Sequence, residues 1–306
     1  MSFFALGGFN LTTIKIHEKI ILDIYSKIYT KIIESQTTIF LCGGVKTNPS
    51  YIRDDVRKLA LKKIGINILY PEDMFIEMLE KDKSSDLLSY EKFLADNCDC
   101  ICIICESPGS LVELGAFINN DVTMPKVIAL LEESRKKDKS FIMLGPIKYL
   151  TKKTHKDNVI FYNKDDLVTL SEKLVTKAKT YKKNYGNYGI NTIIGVVQYL
   201  PLLLYFHKSL TYQEIKECLD IIWDKYKLCV LEKDTLMNAS LKLLFKNRTI
   251  FKENVSNRSF YGLTKSGYEL VYTKLYYSTN RKNRKCNSKL YDSIRFDIIN
   301  KSLYDK

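Results

Sequence analysis

Histidine is scarce in this chain of 306 residues: His17, His155 and His207 are the only three, and they lie far apart. Such spacing offers neither a metal knuckle nor a local catalytic triad. Six prolines and 13 glycines are too few for a fibrous or disordered protein. No apolar run reaches the ~20 residues that a membrane span needs. The longest, residues 193–206, is interrupted by Gln198 and Pro201. A basic start followed by an apolar stretch and a cleavage site is missing, so a secreted product is not expected. A GxGxxG is missing too, which removes the usual dinucleotide fingerprint. The eight cysteines are therefore expected as reduced thiols in the cytoplasm. Cys98, Cys100 and Cys102 alternate along one strand face, and Cys102 and Cys105 make a single C-x-x-C without a second pair. Buried small residues fit that pattern better than zinc ligands, and neither a metal nor a resident cofactor is expected.

Present instead are 45% hydrophobic and 27% charged residues, enough to fill two ordinary globular cores. The formal net charge of +13 is unevenly placed: residues 1–150 hold 19 Lys/Arg against 20 Asp/Glu, and residues 151–306 hold 29 against 15. A basic C-terminal half points to a polyanion, and nucleic acid is the first candidate. A solvated lysine-rich surface is the plainer alternative.

Residues 1–36 read as an extension with one amphipathic helix over 14–33, where isoleucines recur at helical spacing. Residues 37–181 then alternate short apolar runs, at 38–42, 67–70, 100–104, 126–131 and 159–162, with helical stretches at 51–64, 84–96, 111–119 and 165–181. Strand and helix in turn predict a Rossmann-like parallel α/β sheet, whose ligands bind beyond the carboxyl ends of the strands. Residues 182–192 read as a linker. Three helices, a hairpin and a last helix over 193–280 predict a winged helix-turn-helix, and 281–306 form a basic tail. In the winged helix, Thr211 and Glu214 have capping-box spacing and Thr264 is placed to cap the last helix. Lys242 on the second helix of the motif, Lys252 and Arg258 on the wing, and Arg281, Lys282, Arg284 and Lys285 in the tail are the candidate nucleic-acid contacts.

Chemistry concentrates after the third strand, in Glu106-Ser107-Pro108-Gly109-Ser110-Leu111-Val112-Glu113. Pro108 and Gly109 make a turn, Ser110 is a good N-cap, and Glu113 falls in the first helical turn, where amides and the macrodipole favour a carboxylate. A carboxylate there can attack an anomeric carbon or stabilise its oxocarbenium ion. The same Ser-x-x-Glu spacing would equally serve a capping box, and both uses stay open. Gly43 and Gly44, after the first strand, would admit a sugar or phosphate to the backbone, or serve a tight turn. Asp73, after Tyr70-Pro71, faces the same cleft or caps a helix.

These segments resemble the nucleoside 2-deoxyribosyltransferase superfamily. They are closer still to the ribosyltransferase-like effectors of bacterial retrons, through residues 39–44, Tyr70-Pro71-Glu72-Asp73, and 106–117 with Asn119-Asn120. The resemblance implies a nucleoside deoxyribosyltransferase-like domain followed by a winged helix. It implies Glu113 as nucleophile and Glu91, eight positions before Asp99, as the residue holding sugar hydroxyls, although Glu91 also reads as an exposed helix carboxylate. Where the transferases carry an Asp six residues before the nucleophile, this chain has Ser107, which puts free-nucleoside exchange in doubt. Glu106 is the candidate to replace it as acid, and Ser107, Gly109 and Ser110 are candidate substrate contacts. The implied function is that of an antiviral toxin cleaving an N-glycosidic bond, with NAD+ the favoured substrate. The implied partners are a reverse transcriptase and its multicopy single-stranded DNA–RNA hybrid, and a homo-oligomer or higher assembly is implied as well. Two other functions remain: a nucleotide-sensing winged-helix regulator without catalysis, and a deoxynucleoside base-exchange transferase.

Overall fold

A computed structural model describes residues 17–45, 50–72, 96–185, 189–230, 232–255, 257–277 and 284–304. They gather into two compact units that do not follow chain order. Lys31–Gln198 with Leu231–Lys246 form one, and Met1–Thr30, Tyr199–Val230 and Asn247–Lys306 form the other.

The first unit is built on the expected parallel sheet. Its strands are β1 (Thr37–Cys42), β2 (Ile66–Leu69), β3 (Cys100–Ile104), β4 (Val127–Glu132) and β5 (Val159–Tyr162), in the order β2-β1-β3-β4-β5. Every residue of β1 and β3 is buried. That is why these strands lack polar alternation: both sheet faces are covered. Ile39 lies opposite Cys100 and Leu41 opposite Cys102. These four, with Ile104, Ile128 and Leu130, pack against Val56 and Ala60 of the Arg53–Ala60 helix and Leu170, Leu174 and Ala178 of the Leu167–Tyr185 helix. Cys100 and Cys102 are thus core residues, and each deeply buried side chain of this size contributes roughly 1–3 kcal/mol. At the amino end of the strands, the Thr38 amide donates to Asp99 Oδ2 at 2.7 Å and the Asp99 amide to Thr38 O at 2.9 Å, which pins β3 to β1. Asp99 therefore sits at the sheet's opposite end from Glu106.

The second unit holds an antiparallel sheet in the order β6-β8-β7, with β6 (Ser209–Thr211), β7 (Ile250–Val255) and β8 (Arg258–Leu263). Thr211 caps the Tyr212–Lys225 helix: the Glu214 amide donates to Thr211 Oγ1 at 3.3 Å and the Thr211 amide to Glu214 Oε2 at 2.7 Å. Thr264 Oγ1 likewise accepts the Gly267 amide at 3.0 Å and starts the Lys265–Tyr277 helix. The N-terminal helical stretch runs from Glu18 to Ser35 with a wide, π-type turn over Ile24–Tyr29. In this unit, the buried Tyr199 hydroxyl donates to Ile21 O at 3.4 Å.

Candidate active site

Chain order reverses direction between β1 and β3, so a crevice opens beyond their carboxyl ends. Gly43-Gly44 leave β1 there, Tyr70-Pro71-Glu72 leave β2, and Cys105 to Ser110 leave β3.

Glu106 fastens these loops together. Its Oε1 accepts the Gly44 amide at 3.1 Å and its Oε2 the Ile52 amide at 2.7 Å, with the Arg53 amide beside them. The carboxylate thus occupies the N-terminus of the Arg53–Ala60 helix, where the macrodipole favours it. Burial nevertheless raises its pKa, against the lowering effect of those amides.

Gly43 and Gly44 are closely packed. A Cβ at Gly43 would lie 3.1 Å from Glu106 Oε1 and 3.2 Å from Arg53 Cδ; one at Gly44 would lie 2.1 Å from Tyr51 Cδ2.

The helix after β3 begins at Pro108, ahead of the expected Leu111, because Ser107 caps it in place of Ser110. Ser107 Oγ accepts the Ser110 amide at 3.2 Å, and Ser110 Oγ accepts the Ser107 amide at 3.0 Å. Pro108 at the first helical position suits that start. The reading of Glu113 as part of a Ser110 capping box is corrected accordingly. Glu113 lies in the second turn, outside the serine exchange and past the free first-turn amides. It is half-buried and has no hydrogen-bond or ion-pair partner among the described residues. Burial pushes its pKa up to about 7, the negative charge of Glu72 adds to the rise, and Arg53 opposes it. Gly109 is exposed, and a Cβ there would meet only Ser107 Oγ, at 3.9 Å.

Arg53 is 6% exposed and pairs through Nη1 with Glu72. Its guanidinium carbon lies 4.2 Å from the centroid of the Tyr70 ring and that of Arg57 4.4 Å from it, so both cations stack on one aromatic residue. The Tyr70 hydroxyl donates to Asp54 and its pKa is pushed up to about 12, chiefly by burial. Cys42, at the end of β1, feels both Glu113 and Glu72, and burial is the main cause of its raised pKa. Glu113 is therefore coupled electrostatically to Cys42, Glu72 and Arg53. Sequence reasoning missed Arg53 and Glu72; the Tyr-Pro-Glu-Asp run carried the signal, but attention fell on Asp73. Asp73 and Glu91 lie outside the described residues.

The model of the STM3845 retron effector protein family matches residues 49–252, two thirds of the chain. The chain belongs to that retron effector family. It is similar to an Escherichia coli protein named "Retron Ec86 putative ribosyltransferase/DNA-binding protein", at 32% identity over 194 residues, 59% of this chain and 63% of the relative. It is also similar to the Escherichia coli protein of the same designation from retron Ec73, at 30% identity over 131 residues, 41% of this chain and 42% of the relative. The match thus spans less than two thirds of either relative's length.

For this member of the retron effector family, the basic candidates fall in both compact units. Lys252 and Arg258 are exposed on the β7–β8 hairpin, with Lys252 Nζ 5.9 Å from the Tyr261 ring centroid. Lys242 is half-buried on the Lys233–Lys246 helix, in the other compact unit. Arg284 and Lys285 open the Arg284–Tyr304 helix, but their side chains, like Arg281 and Lys282, are outside the described residues. A groove of about 1120 Å³ lined by Ala116, Asn119, Phe141, Leu144, Tyr149 and Lys152, among others, does not include Glu113. No described helix is long and apolar enough to cross a membrane.

Proposed function

We propose that the chain cleaves the N-glycosidic bond of NAD+. The observation that carries this reading is the unpartnered, half-buried Glu113 carboxyl beside the strand switch point, its pKa pushed up to about 7 by burial. Glu113 attacks C1 of the nicotinamide ribose, or stabilises positive charge there, as the bond to nicotinamide breaks. The bonding electron pair goes to the ring nitrogen, so nicotinamide leaves neutral and needs no proton; Ser107 in place of an acid is consistent with that. Water then replaces the Glu113 ester oxygen on C1, and one proton passes to solvent. Glu106 positions the β1 and β3 loops for this step through the Gly44 and Ile52 amides. The Tyr212–Lys225 helix, the β7–β8 hairpin and the Lys265–Tyr277 helix act as the nucleic-acid-binding part of a winged helix. In the cytoplasm, this basic half holds the RNA–DNA product of a retron reverse transcriptase, which restrains the toxin until infection.

Nicotinamide release from NAD+ by the purified full chain tests the chemistry. Release is expected to fall by several orders of magnitude in both Glu113→Ala and Glu113→Gln. Turnover that survives in both removes Glu113 from the reaction, and binding without release makes the protein a sensor. Affinity for an RNA–DNA hybrid is expected to drop steeply with salt; a flat response would indicate a protein-only interface.

A further inference from the structure

Resting on the glycosidic reading, we infer that Glu72, held by Arg53, is a specificity-determining residue that makes the site select glycosides whose anomeric nitrogen is cationic. Three observations lead there. First, Glu72 and Glu113 both act on the Arg53 guanidinium, while Arg57 is offset by Asp54 across the Tyr70 ring, so one carboxylate is left in excess. Second, the Arg53 side chain is deeply buried against the Tyr70 ring, so its guanidinium is fixed beside Glu72. Third, Glu72 stays 45% exposed at its side chain although Arg53 is covered, so the acid and not the base meets an incoming ligand.

A cationic sugar nitrogen gains from the excess charge, and a neutral nucleoside does not. Glu72→Gln leaves Glu113 balanced by Arg53, and the preference disappears. Among the described residues, the converging elements also carry Cys42 on β1, Tyr51 before the Arg53–Ala60 helix, Asp54, Arg57 and the exposed Asp55–Lys58 pair on it, Tyr70 after β2, and Cys105 and Glu106 after β3. Asp54 is engaged by Tyr70 and Glu106 by backbone amides, so Glu72 is the acid left to act on Glu113.

The full chain is compared with Glu72→Gln and Glu72→Asp in two measurements. One follows the Glu113 carboxyl by 13C NMR across pH, with Glu113→Gln identifying its resonance; it requires no turnover. The other is the ratio of base release from nicotinamide riboside, a cation, to that from inosine, which is neutral. With Gln at 72, the titration is expected to move down from about 7, stopping above the ordinary carboxylate value because burial remains. The release ratio is expected to fall about tenfold, the scale of one charge acting across a half-buried site. Asp is expected to restore both. An unmoved titration or an unmoved ratio overturns the inference. Failure of the unaltered chain to release base from either compound overturns the glycosidic reading instead, and the titration then still decides whether Glu72 and Glu113 are coupled.

Discussion

Replacing Gly44 by Ala distinguishes packing from ligand approach as the reason for the glycine pair after β1. The new methyl carbon would lie 2.1 Å from Tyr51 Cδ2 and 2.5 Å from its Cε2 and Cγ. Carbon atoms rest at about 3.5–4.0 Å from one another, so the ring must retreat by roughly 1.5 Å. Gly44 is not in the left-handed region, so no backbone strain enters. Tyr51 is half-buried and gives way only in part, which puts the cost at about 1–3 kcal/mol. If the backbone moves instead, the 3.1 Å bond from the Gly44 amide to Glu106 lengthens, at a cost of about 1 kcal/mol or more for a charged acceptor. Denaturant unfolding of Gly44→Ala, Tyr51→Ala and the double variant measures the coupling. Removing the ring should reduce the effect of the methyl group to below about 0.5 kcal/mol, leaving a coupling near 2 kcal/mol. A Gly44→Ala protein of parental stability that has lost base release would refute the packing argument and return the glycine to the ligand.

Two further outcomes are expected. Gly267→Ala puts a Cβ 2.0 Å from Thr249 O; this neighbour is backbone and cannot rotate away, so a loss of about 3 kcal/mol or more is expected, and equal stability in a thermal melt would contradict it. Glu113 has its folded-state pKa raised from 4.5 to about 7, so its contribution to stability is full below the lower value and lost as pH rises through the upper one. Glu113→Gln should therefore be more stable than the parent at pH 8, by about 1 kcal/mol after discounting for partial exposure. It should match the parent at pH 4.5, and melts showing the same difference at both pH values would count against the buried carboxyl.

The sheet was legible because burial on both faces demands unbroken apolar runs, and Thr37–Cys42 and Cys100–Ile104 supply them. The Thr211–Glu214 cap was legible because it is local. The start of the Pro108–Ile118 helix was not, since Ser107-Pro108-Gly109-Ser110 offers two hydroxyls for one cap; the proline at the first helical position was the clue that separates them. The Arg53–Glu72 pair was hidden for another reason. Its members are brought together by parallel pairing of β1 with β2, which no spacing in the chain announces. Glu113 could be singled out from sequence, but its raised proton affinity could not, because that comes chiefly from burial in the fold, with Glu72 adding to the rise and Arg53 opposing it.

The chain passes between the two compact units four times. No single recombination breakpoint can therefore lift out either unit whole, so exchange between related genes must transfer both or fine-tune residues in place. The same interleaving governs birth on the ribosome. The unit that carries Glu113 is not complete until Leu231–Lys246 has been made, long after Glu113 itself has emerged. That last segment is thus added when more than half of the basic C-terminal part, residues 151–306, has been made.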